Sequence, residues 1–536
     1  MSTFLVLLST FFASIGLLYL YIRANDAKIM RLLPEAATFS PKRWTEQDAR
    51  QGAKEIREKP ITIDGVLPPR TGRRYIVIGG AGFLGGWIVR HLLERGEDPK
   101  KIRVLDIRPP RRKDLTTGPA RDVDFRQVDI SDKKAVDEAF HAPWPSSSTA
   151  NISPSSSDAT VSDIGITVFH TAANIRFYER HPSLLPLSSK VNVNGTQNIV
   201  DAARRIGVSV IVYTSSGSIS VRRARFWLWP WEKQPDFFVQ YITDDDALVP
   251  KRHEDMFSNY AASKIQAERI VRQADRTPTG TGEERVLRTG CIRPGNGIYG
   301  PGGDLLCGSY LVRQTNPTWI ADILHNFVYV ENGSLAHLCY ERRLLDLIGS
   351  PDSETAGPDI GGQAFAITDA GPPVTYGDVY QTLNVLTDGL TVFPNMSATA
   401  MLLLAHIFEA VHLSHMFLQL SSYPLLRHIS RFVPRLNGDL INLQPSLFAL
   451  TMVHLIWDDS RARKGAAEGG IGYNPPWTTM QGLCKLVEEH LKGDGKGEAD
   501  RSTDGGVSFG WPSMKAGRGV QRVKEGLGAE PTKLMN

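Results

Sequence analysis

The stretch RYIVIGGAGFLG at residues 74–85 limits what this chain can fold into more than any other. Four β-favouring residues, Tyr75 to Ile78, run into glycines at 79, 82 and 85, and Trp87, Ile88, Val89, Leu92 and Leu93 then follow at helical spacing. Strand, tight turn and helix in that order bring backbone N–H groups to a helix N-terminus, where glycines let a pyrophosphate come close. A second apolar strand, Arg103 to Leu105, ends in Asp106. That is about 20 residues past the turn, where a carboxylate can hold ribose hydroxyls. A glycine run alone is weak evidence, since Gly-rich chains produce it by chance. The flanking strand, helix and acidic residue make this one specific. They predict an α/β fold: a doubly wound parallel sheet of Rossmann type, with a smaller C-terminal substrate-binding region.

Residues 3–22 carry no charge, and Arg23, Lys28 and Arg31 follow. About 20 apolar residues suffice to span a bilayer. No cleavage-site pattern follows them, so residues 1–24 read as a retained N-terminal transmembrane helix with its basic side cytoplasmic. Residues 25–72, polar and dotted with prolines, read as a linker, and 73–300 as the dinucleotide-binding domain. A Ser/Pro-rich stretch at about 142–162 is too polar to pack and reads as a disordered insertion. Residues 301–492 form the substrate-binding region, and 493–536 a Gly-rich disordered tail. The net charge of +4 in 536 residues shows no nucleic-acid footprint, and the four cysteines have no metal-ligand spacing.

Further strands are expected at Val123–Val128, Ile164–Phe169, Val208–Tyr213 and Phe327–Val330. His170 ends one of them, and a packed or backbone-bonded histidine is the plainer reading there. Arg222–Trp231 alternates tryptophans beside arginines. A membrane-interface segment and a loop packing its aromatics on the domain are both compatible with it. Within the apolar stretch 398–420, His406, Glu409, His412 and His415 recur every three residues. At 3.6 residues per turn they drift by ~60° per step, so they fan out rather than converge on a metal. The stretch reads as a membrane-contacting surface helix or a channel wall.

At Tyr260-Ala-Ala-Ser-Lys264 a phenol precedes an ammonium by four residues, on one helix face. A free tyrosine, with a pKa of about 10, is a poor base near neutrality. A nearby ammonium favours the phenolate. Ser216, after the Val208–Tyr213 strand, can hydrogen-bond the same substrate oxygen. Together with the glycine turn, the three residues point to proton transfer beside a bound dinucleotide.

The segments GGAGFLG, LDIRPP, VDI, FHTAA, NVNGT, YTSS, YAASK and RPGNGIYGPGG occur in the order that marks the extended short-chain dehydrogenases/reductases, which this chain resembles over about 74–490. VLDIRPP, FVYVEN at 327–332 and AFAITD at 364–369 are most similar to the 3β-hydroxysteroid dehydrogenase family, and within it to the decarboxylating sterol-4α-carboxylate 3-dehydrogenases. The resemblance implies Ser216, Tyr260 and Lys264 as catalytic residues. It implies Gly79, Gly82, Phe83, Leu84, Gly85, Asp106, Asp129, Ile130, Thr171, Ala172, Tyr260, Lys264 and Pro294 as the binding site for NAD, with Arg108 leaving NADP open. It further implies a sterol or triterpenoid substrate oxidised at its 3β-hydroxyl, an endoplasmic reticulum membrane location and a cytoplasmic catalytic domain. A homodimer and association with other sterol-modifying enzymes are compatible with it. Ile78 departs from the family's usual threonine, and the Trp-rich 226–231 segment has no counterpart in it.

Overall fold

The first five strands of the chain are β1 (Arg74–Ile78), β2 (Ile102–Asp106), β3 (Asp124–Gln127), β4 (Ile166–His170) and β5 (Val210–Thr214). β6 (Val239–Ile242) leaves that sheet, and β7 (Arg288–Pro294) returns to it. β8 (Ile298–Tyr299), β9 (Leu324–His325) and β10 (Val328–Tyr329) are two-residue pieces, followed by β11 (Gln363–Ile367), β12 (Val374–Thr375) and β13 (His454–Trp457). This computed structural model describes residues 3–145, 165–281, 285–349 and 357–493. The expected insertion beyond residue 145 and the expected tail beyond 493 lie outside them.

Seven strands form one parallel sheet in the order β11-β7-β5-β4-β1-β2-β3. The chain runs outward from β1 to β3, then returns to lay β4 on the other side of β1. That reversal opens a crevice at the carboxyl ends of β1 and β4, the position where doubly wound sheets bind their ligands. β4, β5 and β7 are buried along their whole length, as expected of strands covered by helices on both faces. Tyr75 and Val77 face one layer, with the Phe83–Glu94 and Val330–Gly349 helices. Ile76 and Ile78 face the other, with the Lys133–His141, Thr196–Arg205 and Asn259–Gln273 helices.

A third core builds the substrate-binding region around a four-stranded sheet, β12-β9-β13-β6. β6 pairs with β13 across more than 200 residues of chain, so the expected boundary at residue 300 does not divide the molecule. The region draws on chain from before and after it.

The expected linker is not one. The N-terminal helix runs on to Ile29, with residues 3–20 exposed and Asn25 and Ile29 buried. After a single turn at Pro34–Ala37, a longer helix, Glu46–Glu58, begins at a capping box formed by Thr45 and Asp48. Its buried residues Ala49, Gly52, Ala53 and Ile56 share one face, packed against the Tyr376–Leu386 and Thr479–Lys492 helices. A Cβ added at Gly52 would stand 3.2 Å from Met480 Cγ, so the small residue permits the approach. Arg43 pairs with Asp378, whose other oxygen accepts from the Trp44 N–H at 2.8 Å.

The stretch from residue 142 also begins packed rather than loose. Trp144 lies under the Arg103 guanidinium at 4.2 Å, and Arg103 donates to the Pro143 carbonyl at 2.9 Å. The Phe327–Val330 strand is shorter than expected. The Tyr329 N–H donates to Asp369 at 2.5 Å and Val330 already starts a helix, which leaves only Val328 and Tyr329 to pair with β8.

Candidate active site

The glycine turn closes because no side chain intrudes. Gly79 sits at φ +80°, and its carbonyl accepts from the Gly82 N–H at 2.9 Å. A Cβ at Gly79 would stand 2.8 Å from both the Ala172 nitrogen and Thr171 Oγ1, and one at Gly85 2.2 Å from the Gly79 carbonyl oxygen. Gly82 caps the Phe83–Glu94 helix, whose first-turn N–H groups have no partner within the helix. Asp106, at the end of β2, accepts from the Ala81 N–H at 3.1 Å and the Arg108 N–H at 3.3 Å. A bare helix N-terminus for phosphate and a carboxylate at the next strand end for ribose fit a dinucleotide.

A cavity of about 820 Å³ runs from this turn into the substrate-binding region. Gly79, Gly82, Phe83, Leu84, Gly85, Asp106, Asp129, Ile130, Thr171, Ala172 and Pro294 line its nucleotide end. Asp129 lies exposed at the rim, held by the Ser131 N–H at 2.9 Å, while Ile130 is buried. Ser216, Tyr260 and Lys264 line the same cavity. The residues expected for the dinucleotide and for catalysis thus border one space, and His170 and Arg108 do not.

Tyr260 and Lys264 sit one turn apart on the Asn259–Gln273 helix, capped by the Ser258 hydroxyl. The Asn259 N–H donates to the Glu179 carbonyl at 2.7 Å and pins the helix start. Lys264 is buried, donates to the Thr214 carbonyl at 2.6 Å, and lies 4.2 Å from the centre of the Tyr213 ring. Burial draws its pKa down to about 7, against the pull of Cys291 and Glu268. Burial also pushes the Tyr260 phenol up to about 12, and a hydrogen bond with Ser216 works against that rise. The expectation that the ammonium sets the phenol is therefore corrected here. Lys264 is engaged by a backbone carbonyl, and desolvation dominates both groups.

The fold also separates the two adjacent serines. Ser215 donates to Glu268 at 2.5 Å in a buried cluster with Arg293. Ser216 caps the short turn after β5, 2.7 Å from the Ser218 hydroxyl. His170 stays out of the cavity lining. It is fully buried, pairs with Thr196 Oγ1 at 2.9 Å, and burial pushes its pKa down to about 3. A neutral packed histidine is its role.

The far end of the cavity is walled by Tyr310, Trp319, Tyr376, Tyr380, Phe393, Leu447 and Leu450, with Arg313 and Asn316 among them. Sequence reasoning missed all of these. Their only signal is a scatter of aromatics over 310–393, with no local spacing to connect them. The histidines of the Ala398–Leu420 helix take separate partners: His406 accepts from Trp227 Nε1 at 3.1 Å, His412 meets Glu179 at 3.0 Å, and His415 meets the Val433 carbonyl at 3.1 Å. Glu409 takes Arg180 through both oxygens at 2.6 Å.

Comparison with known proteins matches residues 76–390 to the model of the 3-beta hydroxysteroid dehydrogenase/isomerase family. The chain belongs to this family. Two Arabidopsis thaliana proteins are similar to it. The 3beta-hydroxysteroid-dehydrogenase/decarboxylase isoform 2 is 26% identical over 461 residues, covering 81% of this chain and 66% of that protein. Isoform 1 is 26% identical over 441 residues, covering 79% and 81% respectively. Among solved structures, the UDP-glucose 4-epimerase of Thermotoga maritima superposes with a TM-score of 0.47 at 16% identity, over 78% of this chain and 99% of that one.

Proposed function

We propose that this family member is an NAD-dependent dehydrogenase of the 3β-hydroxyl of a sterol or triterpenoid, acting on a 4-carboxysterol that loses carbon dioxide. The observation that carries the reading is the single cavity. A glycine cradle with its acidic strand end opens into a chamber walled by aromatics and leucines, and Tyr260 and Ser216 border the same space. Its volume lies within the roughly 300–1,000 Å³ of small-molecule sites.

Bound at the glycine turn, a nicotinamide dinucleotide supplies the hydride acceptor. Asp106 would hold its adenosine ribose, and Lys264 its nicotinamide ribose. Asp106 disfavours a 2′-phosphate, and exposed Arg108 is not part of the cavity wall, which favours NAD over NADP. Tyr260, as its phenolate, would take the proton of the 3-hydroxyl and become the neutral phenol. Ser216 donates to the same oxygen as charge develops there, and its hydrogen bond keeps the phenol from rising further. Once C3 is a ketone, a carboxylate on C4 is β to it, and the carbonyl accepts the electron pair as carbon dioxide leaves. That step needs no further catalytic residue. The protein is held at a membrane, with the endoplasmic reticulum as the expected one, through its N-terminal helix and with the catalytic body cytoplasmic.

Incubating the full-length protein with NAD and a panel of 4-carboxy and 4-methyl sterols, with product masses measured, tests this reading. Loss of two hydrogens together with carbon dioxide is the expected result. Loss of two hydrogens alone from 4-unsubstituted steroids would indicate a 3β-hydroxysteroid dehydrogenase/isomerase. Tight NAD binding with no turnover of any sterol would leave an NAD-binding scaffold.

A further inference from the structure

The Ala398–Leu420 helix is apolar on both its buried and its exposed side, and its one charged residue, Glu409, is on the buried side. Beside Met401, Leu402 and Ala405 of the core, its buried face carries Thr399, Glu409 and His412, all partnered by the body of the protein. Its outward residues, Leu403, Ile407, Ala410, Ser414 and Phe417, follow one another at spacings of four and three, in a stripe with no charge. A helix exposed to water presents its polar face outward, so water is not the natural neighbour of this one.

The apolar surface continues on both sides. The next segment, 421–438, exposes Tyr423, Leu425 and Phe432, the last at 78%, beside Arg427, Arg431 and Arg435, and contains no acidic residue. At the other end the helix starts against the N-terminal one, where Asn25 donates to Thr399 Oγ1 and the Thr399 N–H donates to Asp26, at 2.9 and 2.8 Å. The Trp-rich loop wraps the same junction. Trp227 stacks on Tyr21, and Lys28 holds the Trp229 and Pro230 carbonyls. Trp229 and Trp231 stack on each other at 5.3 Å while 58% and 75% exposed. Exposed tryptophans with basic residues are the composition of a bilayer's headgroup layer. The charge-free exposed run of residues 3–20 leads directly into it.

We propose that the outer face of the Ala398–Leu420 helix, the 423–432 segment and the Trp229–Trp231 pair lie in the headgroup layer of an anionic bilayer, and that the substrate enters the cavity sideways from that layer. The helix is held in the body by the Arg180–Glu409 and Glu179–His412 pairs, so it lies along the membrane surface rather than across it. Ile175 and Phe177, just before those partners, and Leu447, Leu450 and Thr451 of the Pro445–Thr451 helix, which packs on the Ala398–Leu420 helix, line the cavity. Ile175 is exposed, and Leu450 and Thr451 are half-buried, which places the mouth between these two segments. The entry route rests on the lipid-substrate reading above. The docking does not.

The four native cysteines are buried, so an introduced one can be labelled selectively in the full-length protein. Phe417→Cys and Phe432→Cys, carrying an environment-sensitive fluorophore in nanodiscs of phosphatidylcholine with phosphatidylserine, should be quenched by shallow spin-labelled lipid. Leu17→Cys serves as the positive control and Lys134→Cys as the negative one. Quenching at 417 and 432 no greater than at 134 would overturn the docking. A label response that persists in detergent and grows with protein concentration would mean that a second copy covers the face, and would overturn it too. For the entry route, Ile407→Glu with Phe417→Glu should raise the apparent KM for vesicle-held sterol and leave kcat in micelles unchanged, with NAD binding as the check on folding. Quenching with an unchanged vesicle KM would overturn the route alone. Quenching in a protein that turns over no sterol in micelles would instead count against the functional reading.

Discussion

In the proposed mechanism Tyr260 and Ser216 share the handling of one proton, and their substitutions should separate. Tyr260→Phe keeps the ring and removes the proton acceptor. A general base contributes about 10²–10⁴-fold, so turnover should fall by that order while NAD still binds by titration. Ser216→Ala should cost less at neutral pH. Its hydrogen bond works against the burial that pushes Tyr260 up to about 12, so removing it lets the phenol rise further. The limb of kcat/KM that reports the base form should then move to higher pH, and an unmoved limb would show that Ser216 does not act on the phenol.

Lys264 should show its burial in stability. Its pKa falls from 10.5 to about 7 on folding. Between these values the unfolded chain binds the extra proton, so this group makes stability rise with pH across that window. Lys264→Met removes the titration. The stability difference in urea should therefore move in the wild type's favour between pH 7 and pH 10, while turnover of the variant is lost at every pH. An invariant difference would mean that the amine stays charged in the folded protein.

At the scale of elements, the Glu46–Glu58 helix is the piece least visible beforehand. Its buried face is Ala49, Gly52, Ala53 and Ile56, three small residues and one large, too faint an apolar stripe to stand out from a polar, proline-flanked run. Its capping box fixes where it starts, but only the Tyr376–Leu386 and Thr479–Lys492 helices show what it covers. Ile56 is 5% exposed. Ile56→Ala should destabilise the protein by about 2–5 kcal/mol, the range for emptying such a site, read from chemical unfolding. A cost near zero would mean that the segment is a tether after all. Strands β1 to β5 of the parallel sheet were far more legible, since buried strands such as β1, β4 and β5 read as apolar runs. Their ends shifted by one or two residues, as at Val210–Thr214, without moving a residue of the site. By contrast β7, with arginines at 288 and 293, and β11 were not expected.

For the whole molecule, the N-terminal helix and the 398–432 face belong to one surface. Removal of residues 1–20, of which 3–20 are exposed and none belongs to the packed part of that helix at Asn25 and Ile29, should release the protein from vesicles only in part. Sedimentation with and without phosphatidylserine checks this. Complete release would assign all membrane attachment to those residues.

The sequence by itself determined the nucleotide half of this protein. Gly79, Gly82 and Gly85 lie within one turn, Asp106 at the end of the next strand, and Tyr260 one helical turn from Lys264, so short-range spacing carries the information. Tertiary structure alone decided the substrate half. The cavity walls come from residues 175–177, 310–320, 376–393 and 447–451, stretches that share no period and meet only when β6 pairs with β13 and the third core closes. It also gave the two adjacent serines, which both line the cavity, different partners, by seating the Ser215 hydroxyl on Glu268, and decided which way the Ala398–Leu420 helix turns. A helix's sequence shows that polar and apolar faces exist. Only the positions of Arg180 and Glu179 show that here Glu409 and His412 lie on the buried side, beside Met401, Leu402 and Ala405.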